Sequence, residues 1–171
     1  KQVRTMQMYP TAWCKGKNSR ARFNSVLVAH PGSTLDVGSR VLLQAEQTKA
    51  EIISRTISTG GTIIARGFLS GQAADCKGHL ECRGLIMGDT GKIHAIPELE
   101  GTIPGVDLSH EAAVGKIAEE EIEYFMARGL SRDQAVSTIV RGFLSVDIEG
   151  LPPDLAAQIQ RATDLSQQDA M

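Results

Sequence analysis

Apolar positions fall into two regimes that meet near residue 108. Before that point the runs are short, rich in branched side chains and punctuated: Ser25-Val26-Leu27-Val28, Arg40 to Ala45, Glu51-Ile52-Ile53, Thr62-Ile63-Ile64-Ala65, Gly84-Leu85-Ile86-Met87 and Lys92-Ile93-His94-Ala95-Ile96. Pro31-Gly32, Gly60-Gly61, Gly88-Asp89-Thr90-Gly91 and Pro104-Gly105 lie between them, as turns do. The spacing predicts strands recurring about every 8 to 12 residues. Tightly stacked β-coils favour small and branched side chains inside. The aromatic content of only 4% therefore points to a β-solenoid rather than a sandwich. Ile53, Ile64, Leu85 and Ile86 are expected in its apolar interior.

After residue 108 the period becomes helical. Val114, Ile117, Ala118, Ile122, Phe125 and Met126 form one stripe, with Glu119, Glu120, Glu121 and Glu123 opposite. This predicts a helix over 111–128, stopped by Arg128-Gly129. Ser131-Arg132-Asp133-Gln134 is a capping-box pattern, followed on one face by Ala135, Val136, Ile139, Val140, Phe143 and Leu144, which predicts a second helix over 131–145. Pro152-Pro153 opens a predicted third helix carrying Leu155, Ile159, Ala162 and Leu165, before a polar tail from Ser166. The predicted architecture is mainly β with C-terminal helices: a β-helix core over 1–108 and a helical region over 109–171.

Composition narrows this without changing it. A chain of 171 residues, 42% hydrophobic with 17 Gly, has the balance of a globular domain and not of a disordered one. Apolar runs such as Val41-Leu42-Leu43 are far shorter than the roughly 20 residues of a membrane helix. No basic-then-apolar leader opens the chain, so a cytoplasmic location is expected. Lys1 stands where a Met would start a complete chain, which reads as a piece of something longer. Three Cys cannot all pair within one chain, so they are expected as free thiols or ligands in a reducing compartment.

Charge is uneven. Residues 1–35 carry Lys1, Arg4, Lys15, Lys17, Arg20 and Arg22 and no acid, leaving 12 of the 18 basic residues against all 20 acidic ones in the remainder. A nucleic-acid-binding reading rests on this arm alone. The charges lack interleaved aromatics and the acidic remainder repels phosphate, so nucleic acid is not the expected partner.

No phosphate loop, Gly-x-Ser-x-Gly elbow or His-Glu-x-x-His pair occurs, and no nucleophile–base pair is visible, so enzyme activity is not expected. A solenoid acyltransferase would need regular six-residue repeats, which are not found. Thiols and imidazoles do cluster: Cys76, His79 and Cys82, with His94, Glu98, Glu100, His110 and Glu111 further on. Such groups suit zinc or iron–sulfur ligation. On one straight strand, however, Cys76 and Cys82 would sit about 20 Å apart, and they converge only if Lys77-Gly78-His79 turns the chain back. Otherwise one of them is buried packing. His110-Glu111 is expected at the start of the first helix, capped by Ser109. There it is either a dipole-complementing carboxylate or a ligand pair at the mouth of a site. Cys14 beside Trp13 reads as packing, and His30 as an exposed turn residue.

Taken in order, these residues resemble a family. Ser54-Arg55, Gly60-Gly61, Arg66-Gly67 and Glu81-Cys82-x-x-Leu85-Ile86-Met87-Gly88-Asp89 are similar to the SufB/SufD iron–sulfur scaffold family. So are His94-Ala95-Ile96-Pro97-Glu98-Leu99-Glu100, Ser109-His110-Glu111-Ala112, Gly115-Lys116-Ile117, Arg128-Gly129-Leu130-Ser131 and Ala135-Val136-Ser137-x-Ile139-Val140-x-Gly142-Phe143. The resemblance covers roughly residues 50–150. It implies a right-handed parallel β-helix with C-terminal helices and transient binding of an iron–sulfur cluster. It also implies a SufC-like ABC ATPase on the helices, pairing through the β-helix with a second copy or a SufD-like partner, and delivery to recipient apo-proteins. Cys82 matches the cluster-assembly Cys of the SufB-like type, and His110 and Glu111 match the His-Glu step at the partner interface. Cys76, a second candidate thiolate, departs from the usual bacterial pattern. The family's N-terminal part has no counterpart in the chain.

Overall fold

The computed structural model describes residues 3–145 and, beyond them, residues 155, 157, 158 and 161. The third helix expected from Pro152-Pro153 and the polar tail lie outside the described residues, apart from those four helical or exposed positions. Nine strands precede two helices: β1 Thr5–Met8, β2 Thr11–Cys14, β3 Arg20–Ala29, β4 Thr34–Leu43, β5 Lys49–Ser58, β6 Thr62–Gly71, β7 Lys77–Ile86, β8 Lys92–Gly101 and β9 Asp107–Gly115, then α1 Glu119–Met126 and α2 Arg132–Leu144.

The strands alternate between two sheets. One runs β1-β4-β6-β8 with β2 also on β4, and the other runs β3-β5-β7-β9. The pairings with recorded register are parallel. From β5 on, each strand therefore lies on the one before last in sequence, and the chain coils as a parallel β-solenoid. One coil takes 28 to 30 residues: Thr34 pairs with Thr62 at a separation of 28, and Thr62 with Lys92 at 30. The expected solenoid is present, and an antiparallel sandwich is not.

Alternation of side chains sets what lies inside. In β5 the inward positions are Ala50, Ile52, Ser54 and Thr56; in β6 they are Ile63, Ala65, Gly67 and Leu69. These fill two core clusters. One holds Cys14, Val41, Leu43, Ala50, Ile52, Leu69, Cys76 and Leu80. The other holds Ala29, Leu35, Val37, Ile63, Ala65 and Cys82. Of the interior residues expected from the sequence, only Leu85 is buried. Ile53, Ile64 and Ile86 are half-buried, and Ile52, Ile57 and Ile63 take the interior instead. In a doublet such as Ile52-Ile53 composition cannot choose the inward member; the register of the coil does. Each fully buried aliphatic side chain contributes about 1.5–3 kcal/mol.

Close approach of the sheets requires small residues. A Cβ on Gly67 would overlap Leu80 of β7, and one on Gly38 would overlap the Arg66 backbone. The bulk of Leu80 is accommodated because Gly67 has none.

The compact units are Lys1–Val114 and Gly115–Met171. In the second, α2 starts where expected: Ser131 Oγ accepts from the Gln134 N–H and the Gln134 side chain accepts from the Ser131 N–H. Ile122, Ala135, Val140 and Leu144 are buried. Arg132 clasps the Glu119 carboxylate with both terminal nitrogens, at 2.8 Å for one of them, and the Arg128 guanidinium covers the Tyr124 ring at 3.5 Å. The first helix, by contrast, begins at Glu119 and not near 111. Residues 107–115 continue the solenoid as β9, so Val114 belongs to a strand, and Ile117 and Ala118 precede the helix. The helical spacing of Val114, Ile117 and Ala118 is incidental: backbone pairing with β7 outweighs a side-chain periodicity that nothing else stabilises there. No helix among the described residues is long and apolar enough to cross a membrane.

Candidate functional site

Cys82 is the natural centre of the site, and its surroundings follow from the coil. It occupies the middle of β7, beside Ser54 of β5, with its side chain turned inward and only 3% exposed. The run Glu81-Cys82-x-Gly84-Leu85-Ile86 would suit a place near a strand start and at the surface. Alternation from Leu80 and the buried inner face place it in the core instead. Burial pushes its pKa up; the nearby Arg55 guanidinium opposes that shift and Glu81 adds to it. A thiol so placed is protonated at neutral pH and shielded from reagents.

Directly outside Cys82 runs a chain of charges on the outer face of the same sheet. Arg55 and Arg83 are register partners on β5 and β7, a like-charge pair that Glu81 holds together. Glu81 Oε1 lies 2.5 Å from Arg55 Nη1 and 3.0 Å from Arg83 Nε. Arg83 Nη2 then donates to Glu111 Oε1 at 3.2 Å. Arg55 and Glu81 are largely buried, with side-chain exposures of 13% and 14%, and Glu111 is the exposed end of the chain at 54%.

His110 and Glu111 lie on β9, not at a helix start, and Ser109 does not cap a helix; its hydroxyl meets His79 Nδ1 at 2.9 Å. Ser109 and Glu111 share the outer face, whereas Leu108, which packs against the core, and His110 share the inner-facing parity. Cys82 and His110 thus lie on one face of neighbouring strands and Glu111 on the other. β9 is the outermost strand of its sheet, so Cys82 is separated from the solenoid end by a single coil.

Cys76 is elsewhere. It sits in the turn before β7, fully buried in the other core cluster from Cys82. Its sulfur meets Thr48 Oγ1 at 3.2 Å and donates towards the carbonyls of Ala45 and Leu43 at 3.5 and 3.7 Å. β7 runs on through Gly78, so the reversal that would bring the two thiols together is absent. Cys76 is a packing residue that satisfies turn carbonyls. Cys14 is likewise buried packing, while Trp13 is exposed. His30 is half-buried and its Nδ1 pairs with Thr59 Oγ1 at 3.3 Å. Glu100 accepts from Ser70 Oγ at 2.6 Å. Among the described residues no three His, Cys, Asp or Glu side chains are grouped to hold a metal. A soft thiol with one imidazole on the next strand fits iron only if that coil opens and further ligands arrive. The sequence reading missed Arg55, Glu81 and Arg83; the signal available was the 28-residue step from Arg55 to Arg83, one coil.

The comparisons agree with this architecture. The family described as "SUF system FeS cluster assembly, SufBD core domain" matches residues 2–143. An iron–sulfur cluster assembly SufBD family protein of Archaeoglobus fulgidus is 56% identical over 99% of this chain and 46% of its own length. A homologue of the same family from Methanothermobacter thermautotrophicus is 53% identical over 96% of this chain and 40% of its own. The iron–sulfur cluster assembly protein SufB of Bacillus subtilis is 33% identical over 90% of this chain and 34% of its own. The chain therefore spans less than half the length of these relatives. With a matching domain family over most of its residues and a parallel β-solenoid beneath it, the chain belongs to the SufBD core domain family of the SUF iron–sulfur cluster assembly system.

Proposed function

We propose that this chain is the cluster-carrying part of an iron–sulfur scaffold, with Cys82 as the thiolate that receives the nascent cluster as cargo. The observation that carries the reading is a soft thiol stored in the core one coil from the last strand of its sheet, with His110 on the same face of that strand. Iron ligation requires the thiolate, so opening of β8 and β9 must admit water to take the proton, and the Arg55 guanidinium favours the anion that remains. His110, and Glu111 once released from Arg83, then complete coordination. A cluster held by ligands from a coil that opens and closes is labile, which suits donation to recipient apo-proteins.

The partners follow the same reading. Among the described residues β8 and β9 are the last strands of their sheets, with Leu99, Ile103 and Val114 exposed nearby, and a second copy or a SufD-like subunit pairs there. In the helical unit, Glu120, Glu121, Tyr124, Phe125 and Ile139 line an open groove of about 350 Å³, an acidic-rimmed apolar seat for an ABC-type ATPase. Its nucleotide cycle supplies the work of opening. The acyltransferase alternative draws no support from coils of 28 to 30 residues, which are not six-residue repeats.

Alkylation of Cys82 tests the reading. Its rate should be far below that of the unfolded chain and should rise when the ATPase partner and ATP are added. A rate already equal to that of the unfolded chain, or one indifferent to partner and ATP, would overturn it.

A further inference from the structure

The solenoid carries a second feature, remote from Cys82. At one corner, Asn18, Gln47 and Asp75 each adopt a left-handed backbone, with φ of 63°, 59° and 58°. Each stands two residues before the start of a strand, whose first residues are Arg20, Lys49 and Lys77. Those three cations are direct register partners: Arg20 with Lys49, and Lys49 with Lys77. At the strand spacing of about 4.8 Å they form a ladder roughly 10 Å long. The six residues together line a cleft of about 400 Å³.

Two aspects of this corner cost stability. Like charges in register repel. Lys17 is drawn to Glu46 and Arg22 to Glu51, but among the described residues no acid pairs with Arg20 or Lys49. Lys77 has Asp107 at 3.6 Å, an exposed pair that neutralises little. The left-handed turn is also costly for a glutamine, and on the next coil Gly105 fills the equivalent position with φ 83°. A glycine would serve the turn; a side-chain amide is present instead. The ladder is finite too, because its fourth rung is Asp107, an acid.

We propose that this corner binds a short linear oligophosphate, free or as the phosphate tail of a nucleotide. Arg20 and Lys49 are its main counter-charges, the Asn18 and Gln47 amides are flanking donors, and Lys77 marks one end. Asp75 and Asp107 lie at that end and bias the anion towards Arg20. Three rungs closed by acids at the Lys77 end suit a short anion: a nucleic acid continuing past Lys77 would meet Asp75, Asp107 and an acidic remainder of the chain. This inference does not depend on the cluster-carrying role of Cys82.

Calorimetric titration of the full chain at physiological salt tests it, with inorganic tripolyphosphate as the probe and a nucleoside triphosphate, orthophosphate and a single-stranded oligonucleotide as the other arms. Tripolyphosphate should bind more tightly than orthophosphate, and the double change Arg20→Ala with Lys49→Ala should lower that affinity at least about tenfold while Lys92→Ala leaves it unchanged. A nucleoside triphosphate matching tripolyphosphate would identify the tail as a source; its failure to bind beside a bound tripolyphosphate would identify the free anion. Gln47→Gly separates binding from folding: it should preserve or raise the melting temperature while weakening tripolyphosphate. No measurable tripolyphosphate binding, unchanged affinity in the double variant, or an oligonucleotide binding more tightly with increasing length would overturn the proposal.

Discussion

At the scale of single residues, burial decides the roles. Cys82, Cys76 and Cys14 are all buried; Cys82 has the Arg55 guanidinium nearby and lies one coil from the last strand of its sheet. Its raised pKa has a consequence for stability. The protonated form is favoured by the fold, so this contribution is complete below the unfolded thiol value of about 8.5 and is lost as pH rises through the folded value. The difference in unfolding free energy between the parent chain and Cys82→Ala should therefore shrink above that pH, and a difference constant with pH would contradict the burial of the thiol. Gly67→Ala should cost about 1–3 kcal/mol, read as a lower denaturant midpoint with unchanged slope, because its Cβ would overlap Leu80. Cys82, His110 and Glu111 could be singled out as candidates in the sequence because chemistry is carried by residue type. Their surroundings were not: whether Ile52 or Ile53, or Cys82 or Glu81, faces inward depends on a register that only the stacked coils establish.

At the scale of elements, the sequence was most legible where a local code acts. Ser131 and Gln134 form the capping box their spacing predicts. Ser131→Ala should destabilise α2 by about 0.5–2 kcal/mol, visible as faster hydrogen exchange in its first turn. β9 was misread as helix because Val114, Ile117 and Ala118 fall at helical spacing, while the pairing that makes residues 107–115 a strand comes from β7, 30 residues earlier. The strand ladder Arg20, Lys49 and Lys77 was invisible for the same reason, since the charges stand out only once the coil length is known. On α2, Arg141 is exposed and Gly142 has open space beside it, as a docked partner needs. Arg141→Glu should weaken capture of the ATPase without lowering the melting temperature; unchanged capture would remove this helix from the docking site.

At the scale of the whole molecule, a parallel solenoid has a property that a sandwich lacks: its interior can be reached from an end by displacing one coil. The network Arg55, Glu81, Arg83 and Glu111 ties β9 to β7 and β5 of the same sheet. The thiol beneath is therefore closed in until that tie is loosened. In the function proposed above, storage, exposure and release of a cluster are states of one coil, driven from outside by a nucleotide-hydrolysing partner. The solenoid class was legible from short branched runs and few aromatics, whereas the number of coils and the position of Cys82 within them follow from pairings between residues 28 to 30 apart. The most direct test of this account is the iron and acid-labile sulfide bound after anaerobic reconstitution of the single-site variants. Cys82→Ser should lose the load, His110→Ala or Glu111→Ala should reduce it, and Cys14→Ser should leave it unchanged; full loading of Cys82→Ser protein would contradict the central role of that thiol.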